Sequence, residues 1–254
     1  MNPMISELEE VLRLSPQEDS RVLEEALLCA VWSCAAAYVP CSLQGHEPMP
    51  LPGPDGKALA VAFLRREDAQ AHLEACCLTG RYAIEEIPLY DLMRQSAEVR
   101  RQGLMFNPSQ EGCAVIRAKR LLYLYHTASL YTGGLPPREA MRFYLARLDT
   151  RANADMLARS QRCGCYRCRT MLTPDQISAF QTDVLRRRTA LCPQCAEACV
   201  VPQHTDYDLS DALLEGMHMR FCDAQFSSTK DEQLFELFDR QMRRLCMEHR
   251  RGKA

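Results

Sequence analysis

The sequence predicts an α+β protein with a larger N-terminal domain and a small cysteine-rich domain after it. Two observations lead to this prediction. Segments with helical and with strand-like spacing of apolar residues interleave over roughly the first 120 residues. Further along the chain, two Cys-x-x-Cys pairs lie 23 residues apart. A chain of 254 residues is long enough for two domains of the usual size, about 100 to 150 residues each.

The spacing of apolar residues places the elements in order along the chain. The predicted helices of the first part are 5–14, 19–33, 65–78, 89–101 and 117–130. The predicted strands are 37–43, 59–64, 82–87 and two short strands around the turn Asn107-Pro108. The proline-rich stretch 45–57 is predicted to be a loop, because proline cannot donate a hydrogen bond to a sheet. One long helix is predicted over 138–159, so the domain boundaries become 1–130, a helical connector 131–160, and 161–254.

Four segments of the first domain resemble the SseB N-terminal-domain family, which is named after a bacterial protein that enhances serine sensitivity. They are AYVPCSL, LAVAFLRREDAQAHL, IPLYDLMRQ and GLMFNPSQEGCAVI, in the order and at the spacing of the family, and the likeness covers about residues 2–124. The resemblance implies an SseB-like α/β sandwich in a bacterial cytoplasmic protein, with no established catalytic chemistry.

Charge and hydropathy narrow the classes of partner. Thirty-one basic and thirty-three acidic residues give a net charge of -2, so no overall field attracts nucleic acid or an anionic membrane. The first basic residue is Arg13, which is unlike the charged start of a signal peptide. The longest apolar run, 26–39, is shorter than the roughly 20 residues that span a bilayer. We therefore expect a cytoplasmic protein without a membrane partner.

The paired cysteines predict a metal site. Cys165 and Cys168 form one Cys-x-x-Cys pair, and Cys192 and Cys195 form the second. Each pair lets two thiolates converge at a tight turn, and two such turns provide the four sulfur ligands that structural Zn²⁺ prefers. Four sulfurs close the coordination sphere, whereas a catalytic zinc usually keeps an open position. We expect one structural zinc ion held by these four residues.

The sequence alone leaves alternatives to this metal site open. The two pairs are also compatible with redox-active or buried dithiols. Cys163 and Cys199 are near enough in sequence to replace one of the four ligands. Eight further cysteines lie among apolar residues and are predicted to be core residues: Cys29, Cys34, Cys41, Cys76, Cys77, Cys113, Cys222 and Cys246.

The cysteine-rich segment, about residues 163–221, resembles a small bacterial zinc-ribbon "cytoplasmic protein" family. The likeness rests on CYRCRTMLTPDQISAF, TALCPQC and LSDALLEGMHMRF. It implies a zinc ribbon with four cysteine ligands, of uncharacterised role, with helical extensions. The family has Gly-Ile-Asp after the second pair where this chain has Ala-Glu-Ala at 196–198. This departure bears on the detailed geometry of the turn and not on the four ligands.

Helices are predicted around the ribbon. One is expected over 175–187, with Ile177, Phe180 and Val184 on one face, and others over 210–221 and from about 229 onward. The stripe of the last helix either covers the protein's own core or docks on another chain. His218 is expected to pack against the ribbon, with a ligand role as the alternative. The arginine run 186–188 is expected to be a charged surface, with phosphate or acidic-partner binding as the alternative.

No catalytic motif is present in the sequence: there is no GxSxG, Walker loop, GxGxxG after a strand, or HExxH. We therefore expect a non-enzymatic zinc protein that acts through protein–protein interaction, as an adaptor, a regulator or an immunity-type protein. The second hypothesis is nucleic-acid binding through the ribbon and its arginines. The third is a thiol redox switch or enzyme that uses Cys163 with a Cys-x-x-Cys pair.

Overall fold

The computed structural model describes residues 3–14, 20–98, 103–108, 113–223 and 229–252. Helices and small, mostly antiparallel sheets make up the chain, which confirms the predicted α+β class. The chain divides into two compact units, Met1–Pro137 and Arg138–Ala254. The stretch predicted as a connector therefore lies mostly within the second unit. None of the described helices is both long enough and apolar enough to cross a membrane.

The first unit follows the predicted element order closely. Its helices are α1 (Pro3–Leu14), α2 (Arg21–Trp32), α3 (Arg66–Ala75), α4 (Leu89–Glu98) and α5 (Ala118–Thr132). Its strands are β1 (Ala36–Ser42), β2 (Pro50–Pro52), β3 (Ala58–Ala62), β4 (Tyr82–Pro88), β5 (Gly103–Phe106) and β6 (Ala114–Arg117). β1 pairs with β4, and the order β2-β3-β5-β6 forms a four-stranded sheet in which only β3 and β5 are parallel.

Strand β2 corrects the prediction that the whole proline-rich stretch is a loop. It pairs antiparallel with β3 at the edge of the sheet. Hydrogen bonds at Met49 and Gly53, on either side of β2, join this segment to β3 and to the residue before β3. Pro50 and Pro52 occupy the alternate positions, which point away from β3 and need no donor. An edge strand tolerates prolines in this arrangement.

The described part of the first unit has an apolar core that includes a partly buried ion pair. Trp32, at the end of α2, is fully buried and meets the ring of Tyr131 edge-on at 5.6 Å between centroids. Glu24 is also buried; its carboxylate accepts hydrogen bonds from Arg120 at 2.7 Å and from the Tyr123 hydroxyl at 3.0 Å. Both partners lie on α5, so this pair joins α2 to α5. Breaking such a buried pair leaves a charge without compensation.

The second unit combines helices with very short strands. Its helices are α6 (Pro137–Leu148), α7 (Ala154–Leu157), α8 (Asp211–Phe221) and α9 (Thr229–Arg251). Its strands are β7 (Cys163–Cys165), β8 (Thr170–Leu172), β9 (Phe180–Thr182), β10 (Arg188–Ala190) and β11 (Val200–Pro202). β11-β7-β8 form one antiparallel sheet, and β9 and β10 form a separate hairpin. We call residues 163–202 the ribbon segment.

Two predicted helices of this unit are wrong. The helix expected over 138–159 ends at Leu148, and the chain turns through Ala152, which has a positive φ of 50°, before α7 begins. The helix expected over 175–187 is instead a 3-10 turn, Pro174–Gln176, followed by the β9–β10 hairpin. Of its expected apolar face, Ile177 is buried but Val184 is 98% exposed.

The last helix covers its own unit. The apolar stripe of α9 is buried at Leu234, Phe238 and Met242. Phe238 packs edge-on against Tyr144 of α6, with 5.5 Å between ring centroids. The stripe therefore serves as core, which was the first of the two predicted alternatives.

Candidate metal centre

The four predicted cysteines lie together. The sulfur atoms of Cys165, Cys168, Cys192 and Cys195 are all within 4.8 Å of one another. Two distances run between the pairs: Cys165 Sγ to Cys195 Sγ and Cys168 Sγ to Cys192 Sγ, each 3.6 Å. In a tetrahedron with Zn–S bonds of about 2.3 Å, sulfur atoms are about 3.8 Å apart. The four sulfurs therefore form a set that could hold one metal ion.

Each pair sits in a turn of the same construction. The first turn connects β7 to β8, and the second follows β10 and precedes β11. The residue after the second cysteine has a positive φ in both turns, 59° at Arg169 and 60° at Ala196. The chain thus makes the second turn with alanine in the left-handed region, where glycine would be easier. The departure at Ala196 leaves the turn in place.

Backbone N–H groups support the first cysteine of each turn. Gln194 N donates to Cys192 Sγ at 3.4 Å. Cys165 Sγ likewise accepts from the backbone of Arg167 and Cys168. Such bonds favour the thiolate, the form in which cysteine binds metal. Once a metal ion has displaced the protons, these bonds would partly offset the negative charge of the thiolates.

Burial has the opposite effect from these hydrogen bonds, because it disfavours the charged thiolate and raises the pKa of a thiol. Cys165 and Cys192 are buried, and the other two cysteines are half-buried. Burial raises the pKa of the Cys165 thiol above its ordinary value. Burial is also the largest influence on the pKa of Cys195, which is raised as well. Without a dication the thiols of Cys165 and Cys195 hold their protons, and a metal ion must displace those protons to bind.

Apolar side chains enclose the sulfur cluster. The buried residues packed around it are Leu157, Leu172, Ile177, Ala190 and Val200, with Cys163 among them. Four sulfurs bound to one ion would leave no ligand position for water or substrate, as in structural zinc sites.

Asn153 ties the two sheets of the ribbon segment together, and sequence reasoning missed it. Its side chain is fully buried. The amide donates from Nδ2 to the carbonyl of Val200 in β11 at 2.8 Å, and Oδ1 accepts from the backbone N–H of Ala190 in β10 at 2.9 Å. Ala190 and Val200 flank the second cysteine turn on either side. One side chain therefore fixes both ends of that turn.

The other candidate ligands lie outside the group of four. Neither Cys163 nor Cys199 belongs to the metal-competent group found among the described residues. Cys163 is a buried core residue, and burial raises its pKa to about 11. His218 is also outside the group, and its Nδ1 lies 3.1 Å from the carbonyl oxygen of Tyr166. His218 thus packs against the ribbon segment, as expected.

The eight remaining cysteines divide into three groups. Cys34 and Cys222 are half-buried. Cys29, Cys41 and Cys246 are buried, in agreement with their predicted role in the core. The prediction was wrong for Cys76, Cys77 and Cys113, which are exposed. Helix α3 ends at Ala75, so the vicinal pair falls in the turn after the helix.

Comparison with known proteins adds no assignment. No family model matches the chain, and none of the curated proteins matches it.

Proposed function

We propose that Cys165, Cys168, Cys192 and Cys195 bind one structural Zn²⁺ ion. The observation that carries this proposal is the closed set of four sulfurs at nearly tetrahedral spacing. Zinc suits such a set because it has no geometric preference of its own and accepts thiolate ligands. All-sulfur ligation disfavours magnesium and calcium, which take oxygen ligands.

Metal content tests this part directly. The full chain purified without added metal should carry one zinc per molecule by inductively coupled plasma mass spectrometry. Cys168→Ser and Cys195→Ser should each lose it, whereas Cys76→Ser, an exposed cysteine of the first unit, should retain it. Zinc-free protein with reactive thiols would overturn the proposal and favour the redox alternative.

We further propose that the protein is a non-enzymatic binding protein of the bacterial cytoplasm: an adaptor, a regulator or an immunity-type protein that acts on another protein. Three features support this proposal. The sulfur set closes the metal site to substrate, the sequence contains no catalytic motif, and the first unit resembles the SseB N-terminal domain. In this proposal zinc orders the ribbon segment so that its surface is rigid before binding.

Affinity purification distinguishes the functional alternatives. Tagged, zinc-loaded chain is recovered from its source lysate with and without nuclease, and Cys168→Ser serves as the metal-free control. A stoichiometric protein that survives nuclease and is lost with Cys168→Ser supports the proposal. Recovery only through nucleic acid, with strong dependence on salt, would contradict it and favour the second hypothesis.

A further inference from the structure

The β9–β10 hairpin ends in an ordered tip, residues 183–187. Asp183 organises it: Oδ1 accepts the backbone N–H groups of Leu185 and Arg187, each at 2.9 Å. Oδ2 accepts from Arg187 Nε at 2.8 Å. These hydrogen bonds, above all those from Arg187, lower the pKa of Asp183, so the carboxylate stays ionised. The conformation of the tip is therefore set before any partner arrives.

The tip displays two apolar side chains to solvent. Val184 is 98% exposed and Leu185 is 68% exposed. Single exposed apolar residues are common on protein surfaces and need no explanation. Two adjacent ones at the end of an ordered hairpin form a small exposed apolar patch. Neither contributes to the core of the unit. The same hydrogen bonds that define the turn hold this pair outward.

Positive charge surrounds the apolar pair. Arg186 is exposed and has a left-handed backbone, with φ 58°. Arg188 lies over the Phe180 ring at 4.2 Å, which steadies its guanidinium group. Arg186 and Arg187 in the tip, Arg188 directly after it and Asp183 together carry two net positive charges over residues 183–188.

We infer that the hairpin tip is the recognition element of the proposed protein interaction, and that it enters an apolar pocket edged by carboxylates on the partner. This inference rests on the proposed function and names the surface. Val184 and Leu185 would fill the pocket, and Arg186 and Arg188 would pair with carboxylates at its rim. Apolar anchors with arginines beside them are the groups that dominate protein interfaces.

Two other classes of partner fit the tip less well. A single myristoyl chain binds a bilayer only marginally, and Val184 with Leu185 would bury far fewer methylene groups than that chain. Nucleic acid would be contacted through phosphates, but the foremost side chains of the tip have no hydrogen-bonding group. A protein pocket uses both the apolar pair and the charges.

The experiment places photoreactive benzoylphenylalanine at position 184 of the full, zinc-loaded chain in its source cells. A second chain carries the same group at Val22, which is 57% exposed in the first unit, as the control. Crosslinked peptides are identified by mass spectrometry. The identified partner is then purified, and its affinity is measured for wild type, Val184→Asp with Leu185→Asp, Arg186→Glu, and Arg81→Glu as the charge control.

The expected result is a crosslink specific to position 184, beside carboxylates of one partner. Val184→Asp with Leu185→Asp and Arg186→Glu should each weaken binding about tenfold or more, with zinc content unchanged, while Arg81→Glu has no effect. Replacing the adjacent partner carboxylate by lysine should restore binding of Arg186→Glu. Such a rescue would demonstrate a direct charge pair, which affinity purification alone does not.

Several outcomes would overturn the inference. A crosslink to nucleic acid or lipid, or sedimentation of wild type but not the double variant with phosphatidylglycerol vesicles, would assign the tip to another class of partner. A partner recovered by affinity purification that binds the tip variants normally would sink the inference and leave the proposed function intact. If no stoichiometric protein is recovered at all, the proposed function fails with it.

Discussion

The first unit and the ribbon segment of the second unit achieve order in different ways. The first unit has strands of up to seven residues and helices of ten to fifteen, and it buries large side chains such as Trp32, Phe63 and Phe106. Every strand of the ribbon segment has three residues. Its buried side chains are mostly small, and several of them are cysteines.

This difference indicates where each region obtains its stability. Burying a large apolar side chain contributes about 1.5 to 3 kcal/mol, so a core of many such residues orders the first unit without help. Three-residue strands and a cluster of small side chains cannot offset the entropy of ordering a forty-residue stretch. The proposed zinc ion would supply the missing free energy, since structural zinc contributes about 10 to 16 kcal/mol in small zinc domains.

Removal of zinc should have the largest effect on stability, and it should affect the ribbon segment but not the first unit. With a strong chelator, the amides of the ribbon segment should lose their protection from hydrogen exchange, whereas those of α2, α4 and α5 should keep it. Hydrogen exchange read by mass spectrometry measures both regions in one sample. Protection of the ribbon segment that is unchanged after the metal is removed would break the comparison.

The reciprocal control is Phe63→Ala in the first unit. Phe63 is fully buried beside Val61 and Leu73. Its truncation should cost about 3 to 5 kcal/mol of the first unit's stability and leave the zinc content unchanged. Leu43→Ala, at a side chain that is 56% exposed, should change little.

Asn153→Ala should have the next largest effect. The residue precedes the ribbon segment, but both of its hydrogen-bond partners lie within it. The change leaves the carbonyl of Val200 and the N–H of Ala190 without their buried partner, at a cost of about 2 to 4 kcal/mol. Because these groups flank the second cysteine turn, we expect weaker zinc binding in competition with a chromogenic chelator.

Thr189→Val is the matched control for Asn153→Ala. Thr189 Oγ1 accepts the backbone N–H of Ala152 at 2.9 Å, but this bond is exposed, so its loss should cost much less. Equal effects of the two variants would mean that Asn153 does not set the geometry of the site, and that zinc alone orders the turn.

The order of elements in the first unit was predictable because period-two and helical patterns are clear in long, buried elements. The hairpin at β9–β10 was not. Ile177, Phe180 and Val184 have helical spacing, but each strand there is only three residues long, too short to show an alternation. The left-handed turn residue, Arg186, also carries no glycine signal.

In the candidate site, too, some residues were predictable from the sequence and others were not. The four cysteines were predictable because Cys-x-x-Cys spacing reflects local chain geometry. Asn153 was not, since its two partners lie 37 and 47 residues away and no local pattern marks it. A buried polar side chain that joins two strands depends on the tertiary fold, so only the structure identifies it.

The smallest predicted effect concerns pH and the first unit. His72, on α3, is buried against Phe63, with 5.3 Å between ring centroids. Burial lowers the pKa of His72 below its ordinary value of about 6.5. The unfolded chain therefore binds a proton before the folded one as the pH falls. The stability associated with neutral His72 is complete above about pH 6.5 and is lost as the pH falls through the lower folded value.

Urea unfolding of the first unit, followed through Trp32 fluorescence, should show this dependence between pH 7.5 and pH 5. In His72→Gln the free energy of unfolding should depend less steeply on pH over the same interval. The variant lacks the imidazole, which binds a proton more readily in the unfolded chain than in the folded one. Zinc is held saturating throughout, so that proton competition at the cysteines does not contribute. An identical pH dependence in His72→Gln would show that the acid sensitivity of the first unit arises from other groups.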